Sequence, residues 1–329
     1  MALRAFKTAR AVLEATRGAG GTPTRILPFS DGTLEETVAT IRPEELRSSY
    51  FGFYNAAASI ESNELTLSGD LDYSQAAWLG QVFVKGGVAG TGASADKTYT
   101  YLPTGTADDL KTACVEFGYG DGIGASNPAW KLTYVGGEEL TLSFSKPDGR
   151  VTYDATFRSA STATQIAAFT GTPTSPTTTL VSPNVVAVYS DPGGTIGATA
   201  DNNVLDVEWT LGNGWQPLYT LNNSASAQAV YRPGIRTWTA RIRRYYANDT
   251  WLDDFVDKTV QKIRVRAVGA TLGTSNYSIN LDLYGVFTGR TLTEVDGLGV
   301  EEFTLEPVYD STATTDFQLV VVCADTSIT

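Results

Sequence analysis

From Ile26 onward this chain repeatedly alternates apolar and polar residues with period two, and a segment patterned that way buries one clean face only as a β-strand. In "ELTLSGDL", residues 64–71, Leu65, Leu67 and Leu71 share one face, with Glu64, Thr66 and Asp70 on the other. "KLTYVG", "ELTLSFS" and "RVTYDATF" read as three strands of a meander, the last two joined by a turn at Pro147, Asp148 and Gly149. Past residue 183 strand follows strand, from "NVVAVYS" through "RTWTARIRRYY" and "QKIRVRAV" to "FQLVVVCA". Helix signals are few. "DYSQAAWLGQVFVKGG" predicts a helix near 73–85, opened by an Asp72 cap and stopped by Gly86. "TADDLKTACVEFGYG" predicts another near 107–117, with Thr106 as cap and Leu110, Cys114 and Phe117 on one face. A weaker one lies around Trp251–Phe255. The fold class is mainly β, a sandwich or open barrel with one or two short helices.

With 329 residues the chain has room for one large β domain or two ordinary ones. Residues 1–25 read as an N-terminal arm, because Leu3, Phe6, Arg10, Leu13 and Arg17 suit a helix stripe while "GAGGTPT" cuts it short. Residues 26–170 form an N-terminal half, and the uncharged Thr- and Pro-rich stretch 171–183 reads as a linker to a C-terminal half, 184–329. "NELTLSGDLDYSQAAWL" and "NNVLDVEWTLGNGWQPLYTL" share a loose plan of strand, turn and a Trp–Leu pair. The halves therefore form either one continuous domain or two fused modules.

Chemistry is hard to place on these residues. The chain has no histidine, which removes the commonest general base, the usual Ser and Cys triads and the commonest zinc ligand. Adjacent acids such as Glu138 and Glu139 point to opposite faces of a strand and build no dyad. "GYGDGIG" (118–124) is Gly-rich but does not link a strand to a helix as a phosphate loop does. No catalytic, cofactor or metal site is expected. Cys114 and Cys323, more than two hundred residues apart, read as buried thiols. Charges interrupt every apolar stretch near the start, and the longest apolar run, "LVVVCA", is too short to span a membrane. A net charge of −12 disfavours phosphate gripping.

Against that acidity, "RTWTARIRRYY" sets Arg241 and Arg243 on one face, opposite Trp238, Ala240 and Ile242. Lys262, Arg264 and Arg266 likewise oppose Ile263, Val265 and Ala267. With Asp249, Asp253, Asp254 and Asp257 between them, these rows read as a locally balanced face that docks on acidic neighbours. Tyr245, Tyr246 and Trp251 cluster nearby, which keeps a carbohydrate-binding or host-surface module open as a second reading.

The opening "VLEATRGAGGTPTRILPF", the polar loop "RPEELRSSYFGFYNAAASIESNELTLSGDL" and the later "VLDVEWTLGNGWQPLYTLN", "TWLDDFVDKTVQKIRVRAVGA" and "YSINLDLYGVF" resemble the major tail tube proteins of long-tailed, siphovirus-type bacteriophages. The resemblance implies a tail-tube β-sandwich or open barrel with a flanking helix, and subunits that join their sheets into a hexameric ring. A fused pair of modules would instead give trimeric rings. Rings would stack around a tape-measure protein, tail-end proteins would close the tube, and the genome would pass through without specific binding. The implied place is the virion tail, assembled in the host bacterial cytoplasm. Expected inter-subunit contacts are Arg4, Lys7, Arg10, Arg47, Tyr50, Phe51, Phe53, Tyr54, Arg241, Arg243, Arg264 and Arg266, with residues 1–25 and 42–64 ordering between stacked rings.

Overall fold

In the computed structural model the described residues are 7–41, 57–92, 96–104, 110–119, 129–173, 179–221, 224, 226–232, 234–295 and 297–328. In chain order they form β1 (Lys7–Leu13), β2 (Arg25–Leu27), β3 (Asp31–Ile41), β4 (Ala57–Asp70), α1 (Tyr73–Leu79), β5 (Lys97–Tyr101), β6 (Ala113–Tyr119), β7 (Ala129–Ser145), β8 (Arg150–Ser159) and β9 (Thr164–Ile166). Then come β10 (Val186–Ser190), β11 (Val204–Gly212), β12 (Gln216–Leu218), β13 (Ala229–Tyr231), β14 (Thr237–Tyr245), α2 (Thr250–Asp257), β15 (Gln261–Leu272), β16 (Ser275–Val295), β17 (Leu298–Pro307) and β18 (Phe317–Cys323). Apart from the β12–β13 hairpin, these strands join one antiparallel network.

Two long strands organise it by changing partner along their length. β7 carries β8 along one edge, while its other edge pairs with β6 over Ala129–Val135 and with β11 over Glu139–Ser145. β16 pairs with β15 and β18 in its first half and with β17 from Gly285 onward. The network thereby folds over on itself as a mainly β, sandwich-like body. Its inward faces supply a shared core that includes Leu65, Leu67, Leu142, Trp209, Trp238, Val265, Leu281 and Phe317. That core, like the β7–β11 ladder, draws on residues from both sides of the Thr- and Pro-rich stretch.

The helix expected near 73–85 is present, and its position is more interior than flanking. Asp72 caps α1 by accepting from the Gln75 amide at 2.7 Å, and every residue from Tyr73 to Val84 is buried. A helix apolar on all sides needs walls on all sides. α1 touches β16 and β18, and the π turn that continues it at Gly80–Val84 touches β5 and β7. The Tyr101 hydroxyl donates to the Ala77 carbonyl at 2.6 Å, the kind of side-chain insertion that widens a helical turn. The short helix around Trp251 is α2, with Trp251 stacked on Phe287.

Four expectations need correction. The helix near 107–117 is not formed: Ala113–Tyr119 is the strand β6, laddered to β1 on one side and β7 on the other. Two complete ladders outweigh a capping signal worth about 1 kcal/mol; residues 105–109 lie outside the described residues. Residues 7–25 are not an arm. β1 pairs with β2 and β6, Ala9 and Ala11 are fully buried, and the buried Glu14 carboxylate accepts from the Gly18, Gly20 and Tyr134 amides. Residues 57–64 belong to β4, paired with β3 and, from Asn63 onward, also with β8, so they are not a loop awaiting a partner. The meander also has two strands where three were expected, since "KLTYVG" and "ELTLSFS" fuse into β7 across a bulge at Gly137–Glu139.

Candidate assembly surface

Each strand of the run β3-β4-β8-β7-β11-β14-β17 sends alternate residues into the core, so the remaining ones build a continuous outer face. That face is hydroxyl-rich and charged. It carries Thr33, Thr66 and Thr156 in one cross-strand row and Asp154, Thr141 and Thr210 in the next, with the Thr141 and Thr210 hydroxyls 3.0 Å apart. Asp154 lies on it, and partial burial raises its carboxyl above the ordinary value.

The arginine row of β14 sits here and that of β15 lies on a strand outside this run, and the partners of both are in the same chain. Arg241 donates to Glu302 at 3.1 Å and to Glu208 at 3.3 Å, bridging the strands on either side of β14. Arg243 donates through Nε to Asp206 at 2.7 Å. On β15, Arg264 grips Asp282 with two parallel hydrogen bonds of 2.6 and 2.7 Å, which raise the guanidinium further above its ordinary pKa. Lys262 stands 3.5 Å from Asp310. Only Arg266 of the two rows is exposed with no ion pair among the described residues. Alternation on one strand showed which face the cations occupy; the acids opposite them come from other strands, as far as 61 residues away for Arg241 and Glu302. A signal was present in hindsight, because "DVEW", "LDLY" and "VEEF" place acids on strands of the same period.

Of the other expected contact residues, Lys7 donates from Nζ to the Gly32 carbonyl at 2.9 Å, and Arg10 lies over the Phe169 ring at 4.5 Å. Both tie β1 to its own chain. Arg4, Arg47, Tyr50, Phe51, Phe53 and Tyr54 lie outside the described residues. The aromatic cluster offers no sugar platform, since Trp251 is buried against Phe287 and Phe303 with Arg244 over its ring, leaving Tyr245 and Tyr246 partly exposed. Cys114 and Cys323 are buried thiols, and burial pushes Cys323 up to about 12. Among the described residues no cluster of acids and cysteines could hold a metal ion, and no helix is long and apolar enough to cross a membrane.

Sequence reasoning missed the two open ends of the run. Among the described residues β3 has β4 as its only strand partner, and from Glu35 to Val38 it is exposed on both faces. At the opposite end, Thr291–Val295 of β16 bond only to β17 among the described residues, and all five are exposed. Apolar side chains gather at these margins: Val38 and Ile41 at one, Leu292, Val295 and Leu298 at the other. Open edges bearing apolar residues are what monomeric proteins avoid, because they template pairing with another chain.

A search among curated proteins finds no match for this chain. The family model described as phage tail tube protein matches residues 8–318, nearly the whole length, and takes in β1 through to the start of β18. A mainly β body with a polar outer face and two open sheet margins is what a structural subunit of such a tube requires, and the chain belongs to the phage tail tube protein family.

Proposed function

We propose that the chain assembles with copies of itself into closed rings, and that these stack into the hollow tail tube of a long-tailed phage. The genome passes down that tube during infection. The observation that carries this reading is the continuous antiparallel run, open at both margins, with one hydroxyl-rich face. In the ring that face would line the lumen. A net charge of −12, with the cations of the face already matched by carboxylates, presents no fixed positive track to a moving polyanion. Tape-measure and tail-end proteins would be the partners inside and at the termini, with assembly in the host bacterial cytoplasm.

Negative-stain microscopy of the purified protein at rising concentration tests the proposal. Hollow tubes or stacked rings are the expected image; a monomer at every concentration would sink it.

A further inference from the structure

The strand path β1-β6-β7-β8-β4-β3 recurs as β10-β15-β16-β17-β14-β11, every step antiparallel. Both paths place a helix directly after the fifth strand, α1 after β4 and α2 after β14. The correspondence extends to single residues. β7 bulges between Gly137 and Glu139 opposite Phe157 and Thr156, and β16 bulges between Phe287 and Gly289 opposite Leu305 and Thr304. Superposing those bulges matches Leu65 with Ala240 through the next ladder. It then matches Leu34 with Trp209, since each lies opposite the former pair. The spacing from Leu34 to Leu65 is the same as from Trp209 to Ala240, so one offset fits both strands. The chain is thus two modules of one topology, joined edge to edge where β7 of the first meets β11 of the second.

That internal joint has a register, in which Leu142 faces Trp209 and Thr141 faces Thr210, and Leu142 and Trp209 are both buried. The second module has its own counterpart of the β7 edge, Gly289–Val295 of β16, and the first has its own counterpart of β11, which is β3. Both are the open margins of the run. Leu292, the counterpart of Leu142, is 58% exposed, an apolar residue in the position its equivalent fills inside a core.

We propose that β16 of one copy pairs antiparallel with β3 of a second copy in the register of the β7–β11 joint, so that Leu292 meets Leu34, Thr293 meets Thr33 and Arg290 meets Glu36. The charges agree with this register. Arg290 already holds Glu301 at 2.6 Å beside the joint, Glu36 is exposed opposite its position, and one Glu301 oxygen is buried without a hydrogen-bond partner. The contact is head to tail, so it propagates until it closes. It rests on the reading of the chain as a self-assembling tube subunit and specifies the joint that reading leaves open.

Directly opposed residues of antiparallel strands have Cα atoms about 4.5–5.5 Å apart, within disulfide reach. Leu34→Cys and Leu292→Cys single variants, mixed at assembling concentration and mildly oxidised, should give a covalent dimer that neither gives alone. The double variant should give a ladder of covalent multimers on a denaturing gel. Cys114 and Cys323 are buried and supply little background. Leu34→Cys mixed with Thr291→Cys, which points to the other face, is the out-of-register control. A mixture that crosslinks no better than this control overturns the proposal. Glu294→Pro, at a position whose N–H faces the open edge as those of its β7 equivalents face β11, should leave circular dichroism unchanged and abolish assembly; assembly at the wild-type concentration would also overturn it. Microscopy of the same samples separates the two readings: tubes without the crosslink sink the joint alone, the crosslink without tubes sinks the tube alone, and neither sinks both.

Discussion

Arg264 and Arg266 occupy equivalent places in the sequence pattern and different places in the physics. Asp282, the partner of Arg264, has a side chain only 3% exposed, so Arg264→Ala would strand a nearly buried carboxylate. With the arginine itself about a quarter exposed, the loss should be about 2 kcal/mol, read as a lower denaturant midpoint at unchanged m-value. Arg266→Ala should change stability by less than about 0.5 kcal/mol. Equal losses at the two positions would show that the Arg264–Asp282 pair is not what holds β15 to β16. Asp191 gives a pH-dependent case. Burial acts to raise its carboxyl, but the hydrogen bonds from Thr199 and from the Ala198 and Gly197 amides outweigh it and hold the pKa below the ordinary value. A depressed folded-state pKa contributes stability above the unfolded value that is lost as pH falls through the folded one. Asp191→Asn should therefore cost about 1–2 kcal/mol at pH 7, with the gap to wild type closing as the pH drops below 4 in thermal melts.

At the scale of elements, β16 depends on one residue to serve two partners. Gly285 lies opposite Gln261 of β15 and Pro307 of β17, at the point where the strand passes from one set of neighbours to the other. A Cβ there would come within 2.2 Å of the Glu306 carbonyl oxygen, a backbone atom that cannot swing aside. Gly285→Ala should cost about 3 kcal/mol or more, or yield insoluble protein, whereas Gly297→Ala in open space should cost only the strain of its positive φ. β6 carries the matching lesson about legibility. Its Thr106 cap and its acids at 108 and 109 are sound local helix signals, and Cys114 and Phe117 are buried as that pattern required. The secondary structure was decided instead by β1 and β7, distant strands that offer a hydrogen-bonding edge on each side.

For the whole molecule, the repeated strand path bears on the proposed ring: with two modules per chain, a ring of six module positions would take three chains. In the proposed tube the outer face would be the surface that DNA passes. Thr66→Lys and Thr156→Lys, neighbours on β4 and β8, would place two cations among hydroxyls without touching the core. Tubes should still form, and they should retain added duplex DNA in low salt and release it as salt rises, a dependence that wild-type tubes lack. DNA passing the variant as it passes wild type would mean that this face does not line the lumen.

The sequence by itself determined the β class, the inward and outward side of most strands, the helix that starts at Asp72 and the absence of histidine chemistry, because each follows from period, local capping or residue type. Only the tertiary structure decided that "ACVEFGY" is a strand, that residues 7–13 are a paired strand with Ala9 and Ala11 in the core, that the arginine rows are matched by Asp206, Glu208, Asp282 and Glu302, and that one strand path is built twice. Those outcomes depend on which distant strands lie side by side, and period two says which face a residue occupies without saying what stands across from it.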